Sequence, residues 1–367
     1  MSFKKRILIV TSEFPPQPGG IGNHARNLAK ALHNKGYQMQ VLSDQRSYDG
    51  LEEQKFDNSE PYDIKRIKRH RLRILMYVQR ILVLFRSLKS NDIIIASGKF
   101  SLWIVAFVSL FYRKSYLAVT HGTEVNFENK VLSASITKAL KRFDQIIAVS
   151  NFTKEIIIEK GLSKITVIPN GIDYLQFQSK EISPDNLTGN PSLVTVGNVT
   201  ERKGQLNVIR HLSVLKTQFP ELHYHCVGLP TNKEEFLKVA ERLGVEDHVT
   251  FHGRVSEERL VNILSNTDIF IMLSSVTDTG DVEGFGIAII EANAIGVPAI
   301  GSKGCGIEDA INNNTTGILI DPKDSDAFLK AIETITINYE SFSKSAQQWA
   351  KDHDWSVLVN AYTKLIN

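Results

Sequence analysis

The feature that most constrains this chain is an alternation. Short, continuous runs of β-branched and aliphatic residues recur from end to end, separated by stretches with helical periodicity. The runs are Ile7–Val10, Met39–Leu42, Ile93–Ala96, Leu117–Thr120, Ile146–Val149 and Thr166–Ile168, then Leu193–Val196, Tyr224–Val227, Val249–Phe251, Ile269–Leu273, Pro298–Ile300 and Gly317–Ile320. Apolar runs that do not alternate with polar residues suit parallel strands covered on both faces. Between Ile21 and Lys35, Ala25, Leu28, Ala29 and Leu32 fall at i, i+3, i+4 and i+7, one face of a helix. Strand and helix in turn predict doubly wound α/β domains. The polar stretch Asp173–Pro191, broken by Pro and Gly, divides the pattern. The expected organisation is a Rossmann-like domain at 1–172, a linker at 173–191, and a second Rossmann-like domain at 192–348. A C-terminal helix at 349–367 is expected to pack back on the first domain. Ligands in such folds bind at the carboxyl ends of the strands, here in the cleft expected between the domains.

Composition narrows the class. A length of 367 residues fits two domains, and 42% hydrophobic with 23% charged residues fits a full core without a long disordered tract. A net charge of +3 gives no reason to expect nucleic acid as a partner. The charge is uneven, however. Ile64 to Asn91 holds nine Lys or Arg and no acid, leaving 34 basic against 40 acidic residues elsewhere. Two cysteines, Cys226 and Cys305, give neither metal spacing nor a disulfide framework, which points to a reducing, cytoplasmic setting. The N-terminus reads as a first strand and not as a secretory leader. Leu102–Tyr112 (LWIVAFVSLFY) is well short of the roughly 20 residues of a membrane span and reads as a buried helix. The sequons at Asn151, Asn186, Asn198 and Asn314 read as accidental.

Four segments hold residues suited to chemistry. In DVEGFGIAIIEANAIGVPAIG, Asp281 to Gly301, Glu283 precedes Gly284-Phe285-Gly286 and a helix that Gly296 and Pro298 end; Glu291 follows two turns later. Glycines at a helix start let backbone N–H groups approach an anion, which the helix dipole also favours. Carboxylates beside such a site can accept hydrogen bonds from sugar hydroxyls. The same pattern also describes a Gly-rich helix start with a solvated Glu on each side. In GNVTERKGQLNVI, Gly197 to Ile209, Arg202 and Lys203 stand beside Gly204 at a helix start and can hold a diphosphate, or form a charged surface loop. In VTHGTEV, His121 follows a strand directly, so it either faces the cleft or is a satisfied structural histidine. In FPPQPGGIGNHARNLAKAL, Gly19 and Gly20 open a helix and either touch a phosphate or turn the chain.

Together and in this order, the segments resemble the retaining glycosyltransferases of family four, whose fold is GT-B. The resemblance runs over nearly the whole chain. EGFGIAIIE, Glu283 to Glu291, matches the family's E-x7-E motif, and the Gly19-Gly20 loop, HGTE at His121, AVSNFTKE at Ala148, VIPNGID at Val167 and RKG at Arg202 fall where the family has counterparts. The resemblance implies that Glu283 contacts hydroxyls of the donor sugar and Glu291 the ribose. It implies that Lys203 and Arg202 bind the diphosphate together with amides near Gly284, Phe285 and Gly286. His121 would lie beside the transferred sugar, and Gly19 and Gly20 would let their loop approach the donor phosphates. Asn170 and Asp173 would belong to the hinge. Asn198 stands where the family often has Arg, which puts one phosphate contact in doubt.

The activity so implied moves a hexosyl group from a UDP- or GDP-sugar, with a lean towards GDP-mannose, to a glycan or lipid-linked acceptor in cell-surface polysaccharide or glycoconjugate assembly. No cofactor or metal is expected. The D-x-D at Asp324-Ser325-Asp326 starts a helical pattern and reads as its cap. Two other readings keep the architecture: a nucleotide-sugar 2-epimerase and a non-catalytic nucleotide-sugar binding protein. A dehydrogenase fits poorly, because the glycines read G-G-x-G after a long loop, although Asp44 stands where a ribose-binding acid would. In 65–89, Ile74, Leu75, Val78, Ile81, Leu82, Phe85 and Leu88 keep helical spacing beside the basic residues. That pattern is either a helix lying on the inner face of an anionic membrane or a core helix preceded by a solvated basic loop.

Overall fold

The computed structural model describes residues 5–69, 73–178, 187–277 and 280–367. The chain divides into two compact units, Met1–Gly171 with Trp355–Asn367, and Ile172–Asp354. The return to the first unit therefore falls at Trp355, and the helix ending at Asp352 stays with the second.

The first unit runs β1 (Arg6–Thr11), α1 (Gly20–Asn34), β2 (Gln38–Asp44), α2 (Leu51–Asp57), β3 (Asp63–Ile67), α3 (Arg73–Leu88), β4 (Ile93–Ser97), α4 (Lys99–Val108), β5 (Ser115–Thr120), α5 (Lys130–Leu140), β6 (Gln145–Ala148), α6 (Asn151–Glu159) and β7 (Ile165–Val167). Among the described residues these strands form one parallel sheet in the order β3-β2-β1-β4-β5-β6-β7. Strand order reverses between β1 and β4, the switch point at which such sheets leave a crevice. β4 is buried at every position because helices cover both faces, as its apolar run Ile93–Ala96 requires.

The periodic residues of α1, Ala25, Leu28, Ala29 and Leu32, are all buried. The chain's last helix, Trp355–Ile366, also belongs to this unit, and its Tyr362 and Val359 are buried.

Three expectations for this unit need correction. Asp63–Ile67 is a strand and not a solvated loop; among the described residues it pairs only with β2, at the sheet's edge, so DIKRI shows no apolar run. Within 102–112 the helix ends at Val108, and only part of the segment is core. Leu102, Val105 and Val108 are buried, whereas Phe107, Leu110 and Phe111 are exposed. In α3 the inward face carries Leu84, Leu88 and Arg80, while Ile74, Leu75, Val78 and Leu82 of the expected apolar stripe point outward. Arg80 is buried against Asp44 in an ion pair, which spends its charge inside the fold.

The second unit runs α7 (Tyr174–Gln178), β8 (Ser192–Val196), α8 (Gln205–Gln218), β9 (His223–Val227), α9 (Lys233–Leu243), β10 (Val249–Gly253), α10 (Glu257–Ser265), β11 (Ile269–Met272), α11 (Ile287–Ile295), β12 (Ala299–Ser302), β13 (Gly317–Ile320), α12 (Ser325–Ile337) and α13 (Tyr339–Asp352); the first unit's final helix is then α14. Its parallel sheet is ordered β10-β9-β8-β11-β12-β13, reversing between β8 and β11.

The expected linker is partly structure of this unit. α7 carries Gln178, whose side-chain amide donates to Ala294 O, and Ile172 N donates to His353 O at 3.0 Å, tying the unit's two ends together. Residues 179–186, with the Asn186 sequon, lie outside the described residues, as do 70–72 of the basic segment. Asp324 accepts from Ala327 N at 2.9 Å and caps α12. Among the described residues no helix is long and apolar enough to cross a membrane.

Candidate functional site

In the second unit, the loops after β8 and β11 meet at the switch point. After β8 the chain makes one tight helical turn, Glu201–Lys203, and reverses at Gly204 with φ 80° before α8. A Cβ on Gly204 would stand 2.1 Å from the carbonyl of Leu273, so only glycine lets this turn press on the end of β11. The turn delivers Lys203 Nζ to 2.8 Å from Glu283 Oε2, while Arg202 bonds both Glu283 and, at 3.1 Å, Asp281. Glu283 is only 9% exposed. Burial alone would push its carboxyl up; the Lys203 ammonium and the Arg202 guanidinium outweigh that and hold it below its usual value.

Glu283 is also fixed from behind. Gly306 N donates to Glu283 O at 3.0 Å, and a Cβ on Gly306 would fall 2.1 Å from Gly284 O. Gly286, in the left-handed region at φ 92°, then opens α11, whose leading N–H groups lack intrahelical acceptors. The Phe285 side chain is core, 6.0 Å from the His353 ring, so only its backbone remains for a ligand. Glu291, on α11, is pushed up to about 7, chiefly by burial; Lys203 pulls it down and Glu257 adds to the rise. One ammonium therefore acts on both glutamates of the E-x7-E pair.

In the first unit the corresponding place is again the switch point. His121 directly follows β5, and its Nε2 lies 2.9 Å from the hydroxyl of Ser97, the last residue of neighbouring β4. His121 N donates to the buried Glu124 at 2.7 Å, which closes the HGTE turn. Burial pushes the Glu124 carboxyl up to about 7, with Glu13 in the loop after β1 adding to the rise. The His24 ring stands edge-on to His121 at 5.0 Å. His24 itself lies 2.7 Å through Nδ1 from Asn170 Oδ1 and 3.2 Å through Nε2 from the Tyr362 hydroxyl. One tautomer satisfies both contacts: Nδ1–H donates to the amide oxygen and Nε2 accepts from the phenol. Burial depresses His24 to about 4, which keeps that neutral form at neutral pH. Burial, then His24, also holds His121 well below its usual value.

Gly19 caps α1, and Gly20 begins it with open space where a Cβ would point. The loop before them is anchored by two arginines, of which Arg66 belongs to the basic segment read from the sequence. Arg66 donates to Pro15 O at 2.6 Å, pairs with Asp57 and covers the Phe14 ring, and Arg46 donates to Pro18 O at 3.3 Å.

The structure thus gathers Arg202, Lys203, Glu283, Gly284, Phe285, Gly286 and Glu291 in one unit, and Gly19, Gly20 and His121 around one switch point in the other. Sequence reasoning missed Asp281, Gly306, Ser97, Glu124, His24 and Arg66. Ser97 had a signal, since it ends a strand as His121 follows one; Gly306 had none, and Arg66 stood out only as part of the basic segment. Among the described residues no group of three or more His, Cys, Asp or Glu could hold a metal ion.

Comparison with known proteins places this geometry in a family. Residues 18–174 match the family model described as Glycosyltransferase Family 4, and residues 178–352 match Glycosyl transferases group 1. A GDP-mannose-dependent alpha-(1-6)-phosphatidylinositol monomannoside mannosyltransferase of Mycobacterium tuberculosis is 25% identical over 95% of this chain and 93% of its own. The amylovoran biosynthesis glycosyltransferase of Erwinia amylovora is 31% identical over 58% of this chain and 52% of its own. The structure of Anabaena HepE in complex with UDP and glucose superposes with a TM-score of 0.80 at 19% identity, covering 99% of both chains, a likeness of GT-B fold. The chain belongs to the group 1 glycosyltransferases of family four.

Proposed function

We propose that the protein transfers a hexosyl group, with retention, from a nucleoside diphosphate sugar to a glycan or lipid-linked acceptor in cell-surface polysaccharide or glycoconjugate assembly. The observation that carries this reading is the contact of Lys203 and Arg202 with Glu283 beside the glycine-led start of α11. On this reading Lys203, Arg202 and the amides at Gly284, Phe285 and Gly286 take the diphosphate, where negative charge grows as the glycosidic bond to phosphate breaks. Glu283 accepts hydroxyls of the departing sugar, and Glu291 accepts those of the ribose. His121, neutral and oriented by Ser97, offers a hydrogen bond beside the sugar, and Gly19 and Gly20 leave room for the donor phosphates. Cations and oriented amides already supply what a metal would give the leaving group, so transfer is proposed to be metal-independent. The leaving phosphate takes the acceptor's proton on the same face.

The mannosyltransferase relative favours GDP-mannose as donor, and the UDP complex of HepE makes UDP-glucose the second choice. The exposed face of α3 in 65–89 supports peripheral contact with an anionic membrane. The test is nucleotide release from each sugar nucleotide, with and without acceptor glycans, with NMR of the product's anomeric configuration. Acceptor-dependent release with a retained anomer, unaltered by chelator, is expected. An altered sugar nucleotide formed without acceptor would replace the reading with an epimerase; binding without turnover would make the protein a binding module.

A further inference from the structure

Between α5 and α6 a groove of about 480 Å³ opens on the first unit. Four of its lining residues are lysines, Lys130, Lys138, Lys141 and Lys160, and one, Glu128, is acidic. Lys160 reaches Ser133 Oγ at 2.8 Å, but Lys130, Lys138 and Lys141 make no ion pair among the described residues. The first amides of α5 are occupied by the Asn129 cap, so the groove's attraction for an anion comes from the ammonium groups. Like charges gathered without partners raise one another's electrostatic energy, and a bound dianion relieves this.

The groove adjoins an apolar shelf. Phe127, on its wall, stacks on Trp103 at 6.4 Å and 6° between planes; Trp103 meets Phe100, and Phe100 meets Tyr77 of α3. Around this row Ile74, Leu75, Val78, Phe107 and Phe111 are exposed on α3, α4 and the turn after it, an apolar area left uncovered among the described residues. A lysine cluster beside exposed aromatic and aliphatic side chains matches the boundary of a bilayer, where phosphates lie just above the acyl chains. A second copy of the chain fits less well, because self-association there would bury unpaired ammonium groups.

We propose that the lysine groove takes the phosphates of anionic phospholipids while the shelf enters the headgroup boundary, docking the first unit on a membrane. This rests on the membrane part of the function proposed above and names its ligand and its site.

The test is flotation with vesicles of phosphatidylcholine alone or with phosphatidylglycerol, at low salt, for the unaltered protein, Lys138→Gln/Lys141→Gln and Ile74→Ser/Phe111→Ser. Binding only to the phosphatidylglycerol vesicles is expected, weakened roughly thirtyfold by the lysine pair and also weakened by the shelf pair, with melting temperatures unchanged. Binding that survives the lysine pair would overturn the groove while leaving membrane contact standing, and no binding by the unaltered protein would end both. Inorganic phosphate at low millimolar concentration that binds the groove in calorimetry and releases the protein from vesicles would make the ligand a free anion and overturn the docking proposal. A dimer by light scattering that Ile74→Ser/Phe111→Ser dissociates would overturn it in favour of self-association.

Discussion

Lys203 sets its ammonium 2.8 Å from the Glu283 carboxylate, across the gap between the loops that follow β8 and β11. Arg202 holds the same carboxylate from another side. Removing one partner of a buried ion pair ordinarily costs about 3 to 5 kcal/mol. Here the second cation remains, so Lys203→Met should cost less than that in stability. Its loss should appear in chemistry: a fall in transfer of at least about 100-fold, the effect of deleting one preorganised donor to a developing charge. Steady-state kinetics with a thermal melt on the same sample checks this. Near-normal turnover would remove Lys203 from the site.

Glu291 supplies a pH signature. Its carboxyl is raised from 4.5 to about 7 in the folded protein. Below about 4.5 both folded and unfolded forms hold the proton and there is no penalty. As pH rises towards 7 the unfolded chain ionises first, so this group lowers stability by up to about 3 kcal/mol, and the loss is complete above 7. Glu291→Gln should therefore gain stability over the parent at pH 8 and little at pH 4.5. Nucleoside diphosphate affinity should rise between pH 6 and pH 8 in the parent, as the carboxylate becomes free to accept ribose hydroxyls, and should be flat in the variant. Equal slopes in calorimetric titrations would contradict the ribose role.

His24 acts on the acid side. Its folded value of about 4 lies below the ordinary 6.5, so stability is fully present above 6.5 and falls as pH drops towards 4, where only the unfolded chain takes up a proton. The His24→Gln variant, which does not titrate, should lose less stability than the parent between pH 7 and pH 4.5. Tyr362→Phe removes the donor to Nε2 and should cost about 1 kcal/mol at pH 7. Urea melts at the two pH values measure both.

Gly306→Ala tests the support behind Glu283. The added methyl would meet Gly284 O at 2.1 Å, backbone against backbone, so the loop must move. Transfer should fall more than tenfold with KM for the donor raised. Gly20→Ala, whose Cβ meets nothing, should leave the melting temperature within about 1 °C. A Gly306→Ala enzyme with parental kinetics would show that Glu283 does not depend on this contact.

Much of the fold was legible because the interior strands are buried on both faces and so carry continuous apolar runs, as Ile93–Ala96 does. Asp63–Ile67 escaped for the opposite reason: an edge strand packs on one side only, and its Lys65 and Arg66 resembled a loop. The stripe from Ile74 to Leu82 had helical spacing, but spacing reveals an apolar face without saying whether protein covers it. At the candidate site, glycines and charges flanking a helix start gave the residue types. They could not show that Arg202 is engaged by Glu283 and Asp281, nor that Gly306 braces Glu283. Those relations join residues distant in sequence, and only the sheet order brings them together.

On the proposed reading Lys203 holds the donor diphosphate while the Glu283 beside it takes the sugar. Calorimetric titration of GDP and UDP into the parent and Lys203→Met tests it most directly. Saturable binding of one nucleotide by the parent is expected, at least tenfold weaker in a variant that melts cooperatively. Equal affinity in the two proteins, or no binding of either nucleotide to the parent, would contradict it.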